Sequence, residues 1–229
     1  MSTPAATPLK SPIDRPAVAH HFDDWQQQYD ACVLGMWVFL VTEVMFFGGL
    51  FTAYMVYRST YPHAFAAASQ SLDVLWGTVN TFILLTSSLT MALGVRAAHL
   101  GQSRRAAQFL GLTMLLGAAF LGVKFYEYAH KYHEGLAPLL GLPFAYAGPD
   151  AGARKIFLGL YFGMTGVHAL HMIIGVVLLG CFAVPAWLNR LGPGGALKIE
   201  IAGLYWHFVD LVWIVLFPLL YLIDRSAHV

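Results

Sequence analysis

A chain of 229 residues that is 58% hydrophobic and only 11% charged lies far from soluble domains, which run at about 25% charged. A mean hydropathy of +0.63 agrees with an integral membrane protein, and a net charge of +1 gives a nucleic acid no basic surface to bind. The two cysteines, Cys32 and Cys181, sit in apolar runs without metal-ligand spacing, so they read as small buried hydrophobes and not as a disulfide framework.

Residues 1–20 are rich in Pro, Ser, Thr and Ala and read as a tail. No signal-peptide core occurs in the first thirty residues, so the opening segment is expected to be retained. His20 to Ala31 is polar, with Phe22, Trp25 and Tyr29 on one face, which suits a short interfacial helix. Residues 1–31 are thus read as tail and interfacial segment, and 32–229 as one transmembrane domain.

The first span is expected over about 32–57, long enough to cross a bilayer. Glu43 stands near its middle. Phe39, Leu40, Phe46 and Phe47 surround it at helical spacing, a collar of rings about one acid. A charge at that depth costs about 2.5 to 3.5 kcal/mol on insertion scales, so a neutral acid facing a lipid-filled groove is the expectation. The plainer reading is an acid that hydrogen-bonds a neighbouring helix.

A second span covers about 72–95 and carries Asn80, Thr81, Thr86, Ser87, Ser88 and Thr90, a set able to bond a neighbouring helix. The connection from Arg96 to Arg105 has three arginines and no acid. A third span, about 106–128, ends in Lys124 and Glu127, an i,i+3 pair expected to snorkel or pair at the interface. The sizeable loop 129–154 reads as a surface lid or partner contact. The fourth span covers about 156–185 and the fifth about 201–223, with Pro218 bending its last turn. Gly159 and Gly163, and Gly49 with Ala53, read as close helix contacts. Lys and Arg are almost evenly divided between the two sides. Only the 96–105 loop tips the orientation, toward a cytoplasmic N-terminus.

The remaining intramembrane ionisable groups are His168 and His171 on span four, and His207 and Asp210 on span five. Each pair is spaced i,i+3, on one helical face. Haem ligation by His207 with His168 or His171, a proton or ion pathway, and plain interhelical hydrogen bonding all fit. The paired four-turn spacing of a two-haem bundle and the broken helices of a transporter site are both missing. His20, His21, Asp23 and Asp24, just before span one, form a possible proton antenna, since histidine and carboxylate buffer near neutral pH. A solvated interfacial helix is the plainer alternative. No internal repeat, phosphate loop, Rossmann or zinc motif occurs.

Trp37-Val-Phe-Leu followed by Thr42-Glu43-Val-Met-Phe-Phe, Thr165-Gly-Val-His168-Ala-Leu-His171, and Glu200 with Tyr205-Trp-His207-Phe-Val-Asp210-Leu-Val-Trp213 resemble subunit III of the haem-copper terminal oxidases. Asn80-Thr81 and Glu127-Tyr128 fit the same pattern, and the likeness runs in order over about 32–223. It implies an all-α bundle of five transmembrane helices in a bacterial inner membrane. It further implies an accessory subunit of a proton-pumping cytochrome c oxidase. Such a subunit holds no redox centre; haem and copper belong to partner subunits I and II, and phospholipid binds in a cleft. Its role is to support proton uptake and the working lifetime of subunit I. The lipid-cleft carboxylate falls on Glu43 and a cleft aromatic on Phe39, with Phe46 and Phe47 beside them. His168, His171, Glu200, His207 and Asp210 fall on structural positions inside the bundle.

The long family form has seven spans, and this sequence starts at what would be the third. A partner chain's helix pair is therefore expected opposite the Glu43 face. A quinol oxidase subunit and a nitric oxide reductase accessory protein share the five-span form, and a haem-bearing membrane anchor is the alternative from another class. Thr-Glu before the Phe pair looks more like the cytochrome c version.

Overall fold

The computed structural model describes residues 18, 22–136, 148, 150–192 and 194–222. The long apolar runs become helices because a backbone in lipid has no water to satisfy its polar groups. In chain order these are α1 (Trp25–Thr60), the short α2 (Pro62–Ser69), α3 (Val74–His99), α4 (Ser103–His133), α5 (Ala151–Trp187) and α6 (Gly195–Phe217), which runs into a π-helical turn (Pro218–Leu222). Five are long and apolar enough to span a membrane: α1, α3, α4, α5, and α6 with its π turn. The protein is an all-α, multi-pass membrane bundle.

The boundaries depart from expectation at informative places. The 20–31 segment is not a separate interfacial helix, because α1 is continuous from Trp25. Asp24 caps it, its Oδ1 accepting from Gln27 N at 2.7 Å, while Asp23 N donates to Gln27 Oε1 at 2.7 Å. Pro62 cannot continue the helical ladder, so the chain breaks at Tyr61 and restarts as α2, an element not anticipated from sequence. α4 runs on to His133, and much of the expected lid, 137–147 and 149, lies outside the described residues.

Helices α3, α4, α5 and α6 form the core, and α1 packs on one side against α5 and α6. The α1 N-terminus, the α3–α4 turn and the α5–α6 turn share one end. Trp25 reaches the α5–α6 turn there, its ring lying 2.9 Å from where a Cβ on Gly194 would stand. The close helix seams are not the expected ones. A Cβ on Gly49, Gly159 or Gly163 would meet nothing within 4 Å. Trp206 of α6 instead fills the space left by Gly117 of α4 and Gly175 of α5, where added Cβ atoms would come within 2.6 and 3.0 Å of its ring.

The polar face expected on α3 does join helices. Ser87 Oγ accepts from Trp206 Nε1 and Thr81 Oγ1 from Trp213 Nε1, each at 3.1 Å. Thr90 Oγ1 meets Thr113 Oγ1 of α4 at 2.7 Å, whereas exposed Thr86 bonds back to Phe82 O. At the far end α6 passes at Pro218 into a π turn, where the sequence suggests a bend. The carbonyls of Leu219 and Leu220 accept there from Tyr54 Oη at 2.9 Å and Ser69 Oγ at 3.0 Å, tying α1 and α2 to that turn.

Candidate functional site: a carboxyl–imidazole pair and a buried ion pair

Residues seven apart lie about two turns along one helix face, so Leu40, Phe47 and Tyr54 of α1 turn inward together and are buried. Phe39 and Phe46 lie about 100° away and are exposed. Glu43 sits between these faces with its side chain 18% exposed, and its Oε2 lies 3.1 Å from His171 Nε2 of α5. This corrects the expectation of an acid facing a lipid-filled groove and fits the plainer reading, a bond to a neighbouring helix. The collar is split as well: Phe47 packs inside the bundle against the His171 ring, at 5.4 Å between centroids, and does not line an outer cleft.

Proton accounting defines the pair. His171 Nδ1 lies 2.9 Å from Val167 O, a carbonyl that can only accept, so Nδ1 carries a proton. One further proton then serves the contact between Nε2 and Glu43. It resides on the carboxyl, giving acid and neutral imidazole, or on the ring, giving carboxylate and imidazolium. Both forms are net neutral, which suits this depth. Tyr205 steadies the ring, stacking on it at 6.4 Å and donating from Oη to His171 O at 3.0 Å. Phe39 in turn touches Tyr205, at 6.1 Å between centroids.

A second polar centre lies near the opposite end of the bundle. Lys124 and Glu127 of α4 were expected at the interface, yet Lys124 is 2% and Glu127 8% exposed. Lys124 Nζ donates to Glu127 Oε2 at 2.9 Å and to Tyr221 Oη at 2.7 Å. Glu127 Oε1 accepts from Tyr161 Oη at 2.8 Å and Tyr221 Oη at 2.7 Å. Trp213 places its ring face 4.7 Å below Nζ. Every donor has an acceptor and the two charges cancel, the condition under which a buried pair is tolerated. The i,i+3 spacing signalled the pair. Nothing local signalled its depth, because Tyr221 arrives only through the π turn after Pro218.

The other intramembrane groups do not converge. His207 Nδ1 lies 2.7 Å from Ser88 Oγ of α3. His168 is buried between Phe120 and Trp213, at 5.5 and 5.4 Å. Its ring nitrogens, the amide of Asn80 and both oxygens of Asp210 make no geometric hydrogen bond among the described residues, although the Ser88 hydroxyl faces Asp210. Each of the three histidines has its own surroundings: Ser88 at His207, Glu43 at His171, and the Phe120 and Trp213 rings at His168. No group of three His, Cys, Asp or Glu positioned for a metal occurs among the described residues. Glu200 is not inside the bundle: it lies at the rim, its side chain 32% exposed, 3.1 Å from His99. Of the antenna set, Asp24 serves as a helix cap and Asp23 is exposed, while His20 and His21 lie outside the described residues.

Residues 25–224 match the family described as cytochrome c oxidase subunit III. The chain belongs to that family. It is 31% identical to the cytochrome bo(3) ubiquinol oxidase subunit 3 of Pseudomonas aeruginosa, over 91% of this chain and 93% of the relative. It is 32% identical to the cytochrome c oxidase subunit 3 of Thermostichus vulcanus, over 95% of this chain and all of that one. The quinol oxidase subunit 3 of Bacillus subtilis is 30% identical, over 85% and 88%. Subunits named for both donor types therefore resemble this subunit III to similar degrees. Membership places both polar centres in a protein that associates with other oxidase subunits.

Proposed function

We propose that this subunit III is the accessory, non-redox subunit of a proton-pumping cytochrome c oxidase in a bacterial inner membrane. Haem and copper reside in subunits I and II, and this chain packs beside subunit I, orders phospholipid and prolongs the working life of the core. The family match across 25–224 carries the reading. The Glu43–His171 contact, flanked by Phe47 and Tyr205, supports it by tying α1 to the core of the bundle. The N-terminus is cytoplasmic in this reading, which puts Arg96, Arg104 and Arg105 on the inner side. Phospholipid and the helices of a partner chain lie against the outer stripe of α1, where Met45 is 73% and Phe46 49% exposed.

A tag on this chain tests the proposal by co-purification. The expected complex contains a haem-copper large subunit and oxidises reduced cytochrome c. The chain expressed alone shows no Soret band, and the core without it starts at normal turnover but inactivates sooner. Stoichiometric haem in the isolated chain would overturn the assignment. Oxidation of ubiquinol in place of cytochrome c would establish the second reading, a quinol oxidase subunit, which the Pseudomonas relative favours.

A further inference from the structure

The α3–α4 turn carries two arginines beside a tight reversal of the chain. Gly101, at φ 72, reverses the chain, with Gln102 N donating to Ala97 O at 2.9 Å and Gly101 N to Ala98 O at 3.0 Å. That pattern closes a helix with its carbonyls satisfied and fixes the turn. Buried Ala97, Ala98 and Ala106 let the two helices approach closely beside it. The result is a cavity of about 350 Å³ whose polar lining is Arg96, Arg105 and Gln102, and whose apolar lining includes Leu93 and Phe109.

Three observations converge on an anion there. Arg96 and Arg105 are exposed and make no ion pair among the described residues; Arg105 Nη1 donates only to the neutral Gln102 Oε1, at 2.9 Å. Glu200, an acid at the same end, is already engaged by His99. The N-terminus of α4, a helix of 31 residues, opens at this turn without a side-chain cap; Ser103 N donates to Gly101 O at 3.1 Å, and the helix dipole favours negative charge beside it. The larger cavity at the opposite end, about 640 Å³, is unlike it, because Asp73, Glu127 and Glu134 line that one together with Lys131.

Leu93 and Phe109 each lie about one turn deeper than Arg96 and Arg105, so charge sits at the rim and an apolar wall below it. A free phosphate has no use for such a wall, whereas a phospholipid presents its phosphate and acyl chains in that order. We propose that the α3–α4 turn binds the phosphate of an anionic phospholipid, with Arg96 and Arg105 flanking the headgroup and Leu93 and Phe109 against the chains. The site is separate from the Glu43 groove and does not depend on which oxidase the chain serves.

The test uses the chain purified with its native partners, in nanodiscs of phosphatidylcholine and phosphatidylglycerol carrying photoreactive phosphatidylglycerol. Label is expected within 93–109. Arg96→Gln with Arg105→Gln should lower it on the order of tenfold, while Arg96→Lys with Arg105→Lys retains most of it. In the unmodified complex, labelling should fall as salt rises, a readout that needs no variant. Labelling that ignores both the arginines and salt, or equal labelling by photoreactive phosphatidylcholine, overturns the site. Loss of label to added inorganic phosphate would assign it to the free ion and overturn the lipid. A crosslink from this turn to an acidic segment of another subunit, with no lipid label, would overturn it likewise.

Discussion

Glu43 Oε2 and His171 Nε2 stand 3.1 Å apart, and the bond of His171 Nδ1 to Val167 O leaves a single proton for them to share. The bond links α1, the most peripheral span, to the core. Replacing Glu43 by Ala strands a largely buried ring nitrogen and should cost about 1–3 kcal/mol. Glu43→Gln still offers an N–H to Nε2 and should cost less than half as much. Thermal inactivation of the purified complex reads both; equal losses would show that the bond is not what Glu43 contributes.

Lys124 and Glu127 should behave as a unit. Lys124→Met alone leaves a buried carboxylate with only tyrosine donors, and Glu127→Leu alone leaves a buried ammonium, each at about 3–5 kcal/mol. The double variant removes both charges and should be more stable than either single one. Thermal unfolding of the three proteins decides it, and additive losses would refute the coupling.

Glu134, just past the end of α4, gives a pH dependence of known sign. Its carboxyl is held below the ordinary value of 4.5, chiefly by the hydrogen bond from Lys131 Nζ at 2.7 Å, with His130 Nε2 at 3.2 Å assisting. A carboxyl with a depressed folded value stabilises fully above its unfolded value and loses that contribution as pH falls through the folded one. The unmodified protein should therefore out-melt Glu134→Gln at about pH 7 and lose the advantage as pH falls below the ordinary carboxyl value. An advantage that grows on acidification would reverse the sign.

Gly117→Ala pushes a Cβ to 2.6 Å from the Trp206 ring and should cost about 1–3 kcal/mol. Gly122→Ala, five residues on, meets nothing within 4 Å and should be neutral or stabilising through helix propensity. Melting midpoints compare them directly, and a similar response at both sites would discount the seam.

The five spans were legible because length and apolarity act along one segment at a time, and the polar face of α3 showed for the same reason. Partners across helices were not. Periodicity puts Glu43 between two faces of α1, but whether His171 or a lipid meets it depends on how α5 rotates. Phe46 and Phe47 are equal in composition and differ only by that 100° rotation, so one was misplaced. The depth of Lys124 depended on a turn ninety-odd residues later in the chain, and the seam glycines on the location of Trp206. Gly159 and Gly163 looked equally suited to a seam and simply face outward.

The seating of Trp206 over Gly117 and Gly175 has a consequence for descent. Three positions on three helices answer to one ring, so a lineage can alter them only in concert: a smaller residue at 206 must precede or accompany any side chain at 117 or 175. In an alignment of relatives the trio should vary as a block. Free exchange of alanine for either glycine while the tryptophan persists would show that the bundle can spread there without penalty.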